Sequence, residues 1–253
     1  MQFRVFVKGT PLSVYLRRMP HFFKDYREIK KQAGQNKADF PLGALYPCLD
    51  DANNESGVAS GHYFHQDLLV AGLIFKNKPV RHVDIGSRID GFVAHVASFR
   101  EIEVFDIREL SNAIPNIHFR RFDLINKNFN LKDYCDSVSC LHALEHFGLG
   151  RYGDEINYQG HISGWENIYK MLKTGGNLYF SVPIGPQRIE FNAHRVFTVN
   201  YLLGLIDGRY KIKSFSYVDD NGKLFSNVAL EKRAVDENFF CRYGCGIFEL
   251  TKI

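Results

Sequence analysis

Residues 80–91 read VRHVDIGSRIDG, an apolar run that stops at Gly86, and residues 92–99, FVAHVASF, follow with apolar side chains at helical spacing. Strand, glycine turn and helix in that order form the opening unit of a parallel sheet. Gly86 lets backbone approach a ligand closely, and the first N–H groups of the following helix are free to meet it. The alternation continues downstream. EIEVFDI (101–107), IHFRRFDL (117–124) and DSVSCLHAL (136–144) read as three more strands. SGWENIYKMLKTGG (163–176), with Ile162 ahead of it, puts Trp165, Ile168, Tyr169 and Leu172 on one helical stripe and stops at a double glycine. NLYFSVPIG (177–185) is a fifth strand, ended by Pro183. The spacing predicts an α/β fold with a mostly parallel sheet covered on both faces. YKIKSFSYVDDNGKLF (210–225) and YGCGIFELTKI (243–253) have no strong helix between them and predict an antiparallel hairpin at the sheet edge.

Upstream the texture changes. Between Pro11 and Ala33, six Lys or Arg stand against two acids, interleaved with Tyr15, Phe22, Phe23 and Tyr26. Pro20 is expected to break or kink a helix there, giving an amphipathic helical pair, with a surface for anionic ligands or lipid headgroups as the alternative. The polar stretch DDANNESGVASG (50–61) marks the boundary, so residues 1–60 read as a helical N-terminal extension and 61–253 as the main domain. HYFHQDLLVAGLIFKN (62–77) opens the latter as a helix.

Composition bounds the function. The chain has 253 residues, 45% hydrophobic, and a net charge of +4, too mild to argue for nucleic acid. No apolar run approaches a membrane span and no signal-peptide core develops, so a cytoplasmic chain is expected, with peripheral membrane contact left open to the basic segment. Five cysteines without CxxC spacing fit neither a disulfide scaffold nor a zinc ribbon. Cys241 and Cys245 read as buried or turn-forming thiols rather than a redox or metal pair, because no histidine is near them in sequence.

In an open α/β sheet, ligands bind at the carboxyl ends of the strands. Asp84, Gly86, Ser87 and Arg88 lie at the first such end. Asp106 and Ile107 lie at the second, and Asp123 and Leu124 at the third. His142 opens the fourth. An acid at Asp106 can accept both hydroxyls of a ribose, and Asp123 can accept an exocyclic amine of adenine. Arg88 either holds a ligand carboxylate or fills the pocket.

The order of these residues resembles the class I S-adenosylmethionine-dependent methyltransferases from about Arg81 to Ile184. That resemblance implies a Rossmann-like sheet, S-adenosylmethionine as cofactor, and Asp84 and Gly86 as the first motif. Asp106 is then the ribose acid and Asp123 the adenine-side acid. Ser87 to Asp90 separate Gly86 from Gly91, where the family's glycines stand closer together. More narrowly, HFGLGRYGD (146–154) and NAHRVF (192–197) resemble an uncharacterised bacterial methyltransferase-like family associated with surface-polysaccharide genes. This implies O-methylation of a sugar, phosphorylated sugar or nucleotide-linked sugar of capsule biosynthesis.

HALEH (142–146) fits H-x-x-E-H, and it also resembles the Glu-x-x-Glu-His pattern of metal-dependent O-methyltransferases. Two readings follow. His142, Glu145 and His146 converge on a divalent ion, with His161 or His194 adding a ligand, or Glu145 and His146 cap the helix and hydrogen-bond the loop without one. In either, His146 is the expected base, assisted by Glu145 and His194. Arg151, Tyr152, Asn192 and Arg195 are the expected acceptor-binding groups, the two arginines clamping a phosphate or carboxylate. The alternatives are a non-catalytic binding module, favoured by the interrupted glycine loop, and an RNA methyltransferase, favoured by the basic aromatic segment.

Overall fold

The computed structural model describes residues 12–35, 40–49, 51 and 54–253, which fall into two units, Met1–Val58 and Ala59–Ile253. Much of the expected extension 1–60, and Asp50, Ala52 and Asn53 of its boundary loop, lies outside the described residues. In the first unit, α1 (Leu12–Gln35) is one helix with Pro20 inside it, not the expected pair. Pro20 cannot donate to the Leu16 carbonyl, but Leu16 is exposed, so water can satisfy that oxygen and the helix continues. Leu45 is buried in this unit, and Arg18 donates to the Leu49 carbonyl.

The second unit begins with α2 (His62–Asn77) and β1 (His82–Ile85). A wide turn, Ile89–Val93, leads into the short α3 (Ala94–Ala97). Then come β2 (Ile102–Asp106), β3 (Ile117–Arg121), β4 (Cys135–Leu141), α4 (Gly160–Met171) and β5 (Leu172–Ile184). A small hairpin, β6 (Arg188–Glu190) with β7 (His194–Val196), precedes α5 (Val199–Ile206). The chain closes with β8 (Tyr210–Val218), β9 (Leu224–Phe225), α6 (Lys232–Asp236) and β10 (Gly244–Lys252).

Eight strands form one sheet in the order β3-β2-β1-β4-β5-β10-β8-β9. Pairs from β3 through β5 are parallel, and β5 with β10, β10 with β8 and β8 with β9 are antiparallel. Chain order reverses between β1 and β4, which opens a crevice beyond their carboxyl ends. Two apolar clusters cover the two faces. Trp165, Ile168, Met171, Leu202 and Ile206 pack with Val83, Ile85, Val138 and Phe180 on one. Val70, Ile74, Phe92, Val93 and Val96 pack with Val104, Leu141 and Tyr179 on the other. Period-2 alternation lets β2, β4, β5 and β10 supply both clusters, whereas β1 gives Val83 and Ile85 to the first and turns the polar His82 and Asp84 to the other face.

Two expected stops are not stops. Gly175 and Gly176 lie inside β5, where Gly175 has φ 78° and the β4–β5 register shifts between Cys135 and Ser137. A Cβ on Gly176 would lie 2.8 Å from the Lys173 oxygen, so the glycines form a strand bulge and α4 has already ended at Met171. Pro183 also lies within β5, opposite Cys245. Its carbonyl accepts the Phe197 N–H at 3.0 Å, so its missing N–H faces that same edge, past the last β4 pairing of Leu141 with Ser181. No ladder bond is lost there.

Candidate active site

The crevice holds a half-open cavity lined by residues from four strand ends. Ile85 and Gly86 follow from β1, Phe105, Asp106, Ile107 and Arg108 from β2, Phe122 to Ile125 from β3, and His142 and Ala143 from β4. His146, Phe147, Tyr152 and Asp154 close it from the loop after β4. Apolar walls with few carboxylates at the rim suit a flat heterocycle carrying a polar ring. Of the nine expected cofactor-side residues, Gly86, Asp106, Ile107, Asp123, Leu124 and His142 line this cavity; Asp84, Ser87 and Arg88 do not.

Asp84 is fully buried and shapes the loop instead. It accepts the Ser87 N–H at 3.0 Å, the Ser87 hydroxyl at 2.8 Å and the Ser139 hydroxyl at 2.6 Å. Burial pushes its carboxyl up to about 7, against the pull of those three donors. With every nearby donor already engaged, it acts on a ligand only by holding the Gly86–Ser87 turn. Gly86 itself has φ 71°, and a Cβ there would meet the Ala143 Cβ at 3.1 Å, so glycine is required by both conformation and contact. Arg88 does not plug the cavity. It pairs with Asp90 at 2.8 Å, both side chains well exposed, and with Ser87 lines a neighbouring depression beside Asp106.

Asp106 is 8% exposed, and its carboxylate is held by the neighbouring arginine: Arg108 Nε donates to Oδ1 at 2.9 Å, as does the Arg108 N–H at 2.8 Å. The Arg108 guanidinium also lies 4.6 Å from the Tyr152 ring centroid, a cation–π contact that roofs this part of the cavity. Asp123 Oδ1 accepts the Ile125 N–H at 2.9 Å. Among the described residues Oδ2 has no partner. The sequence signal for Arg108 was present, a base two residues past the strand-end acid, but spacing alone does not distinguish a clamp from a solvated side chain.

Residues 144–146 form a single tight turn rather than the start of a long helix. That turn decides the fate of HALEH. His142 Nδ1 donates to Glu145 Oε1 at 2.9 Å, whereas His146 Nε2 lies 3.7 Å from the same oxygen. Among the described residues, the three side chains do not bring a ligand atom each to one point. The metal set read from the sequence is therefore corrected: Glu145 sits between two imidazoles as an anion partner. Burial opposes charge on all of this group. For His142, Cys245 and Glu145 outweigh burial and hold the imidazole well above its ordinary value, while His142 draws buried Glu145 below its own.

His146 Nδ1 lies 2.6 Å from the Ala193 carbonyl, an acceptor only, so Nδ1 carries the hydrogen and Nε2 keeps its lone pair. Burial lowers its pKa against the opposing pull of Glu145. A neutral imidazole with a fixed tautomer lining the cavity is the arrangement a general base requires.

The other expected groups scatter. His194 lies on β7, 3.2 Å from Glu190 and against the Tyr243 ring, outside the cavity. Arg195 is buried with its guanidinium donating to the carbonyls of Glu145 (3.3 Å), Phe147 (2.6 Å) and Tyr158 (3.1 Å). It fastens the loop after β4 to the β6–β7 hairpin, its Nε is buried without a partner among the described residues, and it does not line the cavity. Arg151 is exposed and donates to the Ala193 carbonyl at 3.0 Å. Arg151 forms no ion pair with Asp154, whose carboxylate accepts the backbone N–H groups of Gly148, Gly150 and Tyr152. Asn192 is exposed on the hairpin and Tyr152 alone of the expected acceptor set lines the cavity. All five cysteines are free.

A family profile described as "Caenorhabditis protein of unknown function, DUF268" matches residues 91–240. No curated protein matches the chain. Among solved structures, the (4+2)-cyclase SpnF superposes with a TM-score of 0.52 at 14% identity, covering 79% of this chain and 90% of its own. The 1,6-didemethyltoxoflavin-N1-methyltransferase of Burkholderia thailandensis, solved with 1,6-didemethyltoxoflavin and S-adenosylhomocysteine bound, superposes with a TM-score of 0.50 at 14% identity. That match covers 74% of this chain and 78% of the other. These likenesses establish the Rossmann-like methyltransferase sheet. One bearer of it is a cyclase, so the fold by itself does not fix the reaction. The narrower likeness to a bacterial polysaccharide-associated family finds no support among these matches.

Proposed function

The chain belongs to the family described as Caenorhabditis protein of unknown function, DUF268, and on that footing we propose that it is an S-adenosylmethionine-dependent methyltransferase acting on a hydroxyl of a small molecule. The observation that carries this reading is the convergence of Gly86, Asp106, Asp123 and His146 on one cavity between the ends of β1 and β4. S-adenosylmethionine supplies an activated methyl group on a sulfonium that needs no acid to leave. Asp123 would accept the adenine amine, with Phe105, Phe122 and Leu124 as an apolar wall for the ring. Asp106 would hold the ribose hydroxyls in place of Arg108.

Magnitudes favour that exchange. Arg108 is 47% exposed, so water offsets much of what its guanidinium loses on leaving Asp106. Each hydrogen bond from a ribose hydroxyl to the carboxylate contributes about 1.5–3 kcal/mol. The Tyr152 ring offers the displaced guanidinium a second seat. His146 Nε2 then takes the acceptor's proton as the methyl group arrives, while most of the acceleration comes from alignment of acceptor, methyl carbon and sulfur.

A sugar is the acceptor class suggested by the sequence, and its phosphate was to be held by Arg151 and Arg195. Both terminal nitrogens of Arg195 are committed to carbonyls and the residue lies outside the cavity, so an unphosphorylated hydroxyl compound is the form of that reading we retain. Calorimetry with S-adenosylhomocysteine tests the cofactor half. Wild type is expected to bind, Asp106→Ala to bind about 10- to 100-fold more weakly, and Arg108→Ala at least as tightly as wild type. Absence of binding by wild type would replace this reading with a non-catalytic module. Transfer of labelled methyl to a panel of sugars and other hydroxylated small molecules tests the acceptor half.

A further inference from the structure

A second constellation lies on the other side of the His142 ring. His62 is the first residue of α2, His142 directly follows β4, and Cys245 is the second residue of β10. One nitrogen from each imidazole and the Cys245 sulfur lie within 4.8 Å of one another. The two imidazole centroids are 5.3 Å apart. His142 is 8% exposed, and its Nε2 is buried with no hydrogen-bond partner. Its Nδ1 is committed to the Glu145 carboxylate. The Cys245 sulfur faces the His142 imidazole and, among the described residues, otherwise has long contacts, 3.8 Å to Gln66 Oε1 and 4.0 Å to the Gly246 carbonyl.

We propose that His62, His142 and Cys245 bind a divalent transition-metal ion of the zinc class, with Glu145 as the outer partner that orients His142. A carboxylate gripping one imidazole nitrogen while the other faces inward is the usual support of a metal-bound histidine. Without an ion, the buried Nε2 has given up water and gained no hydrogen bond in exchange. Two imidazoles and a thiolate select Zn²⁺ or Co²⁺ over Mg²⁺ or Ca²⁺. The two rings are stacked with their planes 15° apart, so binding turns the partly exposed His62 ring edge-on to the ion, and because zinc bonds of about 2.0–2.3 Å set tetrahedral edges near 3.5 Å the ligand atoms also close in by about an ångström. The ion replaces the Cys245 thiol proton and any proton on His142 Nε2, both released to water. Three protein ligands leave a fourth position for water or an acceptor atom, the coordination of a reactive rather than a purely structural site. The site goes beyond the methyl-transfer reading and does not depend on it.

The test uses the full chain, stripped with chelator and titrated with Zn²⁺ and with Co²⁺. One equivalent of Zn²⁺ is expected to bind. Co²⁺ is expected to give a thiolate-to-metal charge-transfer band with the visible bands of a tetrahedral ion. Cys245→Ser should abolish the charge-transfer band, and Cys241→Ser should keep it. His62→Ala and Glu145→Gln should each weaken Zn²⁺ binding about 10- to 100-fold, with circular dichroism confirming that each variant folds. A wild-type chain that binds no Zn²⁺, or a band that survives in Cys245→Ser, would overturn the proposal. Wild type binding S-adenosylhomocysteine but no metal would sink this site alone and leave the cofactor reading standing.

Discussion

Asp84 and Asp106 occupy equivalent places in the sequence, each an acid at the end of a parallel strand, and the structure gives them different work. Asp84 is sealed under the Ser87 turn by three hydrogen bonds, whereas Asp106 reaches the cavity and meets a displaceable arginine. Gly86→Ala tests the turn they flank. A left-handed alanine costs about 1–2 kcal/mol, and its Cβ would press on Ala143, so both the melting temperature and S-adenosylhomocysteine affinity should fall. His146 makes a prediction in pH. A base works only when neutral, and burial lowers the His146 pKa below 6.5, so methyl transfer should hold through neutrality and fall as pH drops past that lowered value. His146→Asn should keep S-adenosylhomocysteine affinity, lose about 10²- to 10⁴-fold in rate, and erase that acid limb of the rate profile. An unchanged acid limb would assign the proton to another group.

At the scale of elements, the seam between β1 and β4 carries a polar line inside an apolar face. His82 meets the Ser137 hydroxyl at 2.8 Å and the Ser139 hydroxyl at 3.1 Å, and burial lowers its pKa to about 3. A histidine held neutral in the fold but titrating near 6.5 when unfolded contributes stability that is complete above 6.5 and is lost as pH falls toward 3. At pH 5 this loss is about 2 kcal/mol from His82 alone. Urea midpoints at pH 8 and pH 5 should differ accordingly, and His82→Gln should shrink the difference; an unchanged gap would place the acid sensitivity elsewhere. The strands around this seam were legible in the sequence because each is a short apolar run closed by a turn. The ends of elements were not. Gly175–Gly176 looks like a helix stop and is a bulge, and Pro183 looks like a strand stop but lies past the reach of β4, because register between strands is a tertiary property.

For the whole molecule, both apolar clusters are drawn from residues beyond Val58, so the fragment 59–253 should unfold in one cooperative transition, as followed by circular dichroism. Ligand linkage adds a second expectation. S-adenosylhomocysteine at about 100 times its dissociation constant should stabilise the chain by about 2.7 kcal/mol, a rise in melting temperature of roughly 5–10 °C. No helix among the described residues is long and apolar enough to cross a membrane.

The alternation of apolar runs with turns determined a parallel sheet covered on both faces, and it put acids and a glycine at successive strand tips. Periodicity encodes which face is buried, so that much can be read along the chain. Folding alone decided which tips share a cavity: it turned Asp84 inward, spent Arg195 on carbonyls, and set Arg108 on Asp106. It also gave Cys245 the two histidines it lacks in sequence, His62 and His142, which lie 183 and 103 positions away. Proximity across such intervals comes from the order in which strands pair, and a linear pattern carries no record of that order.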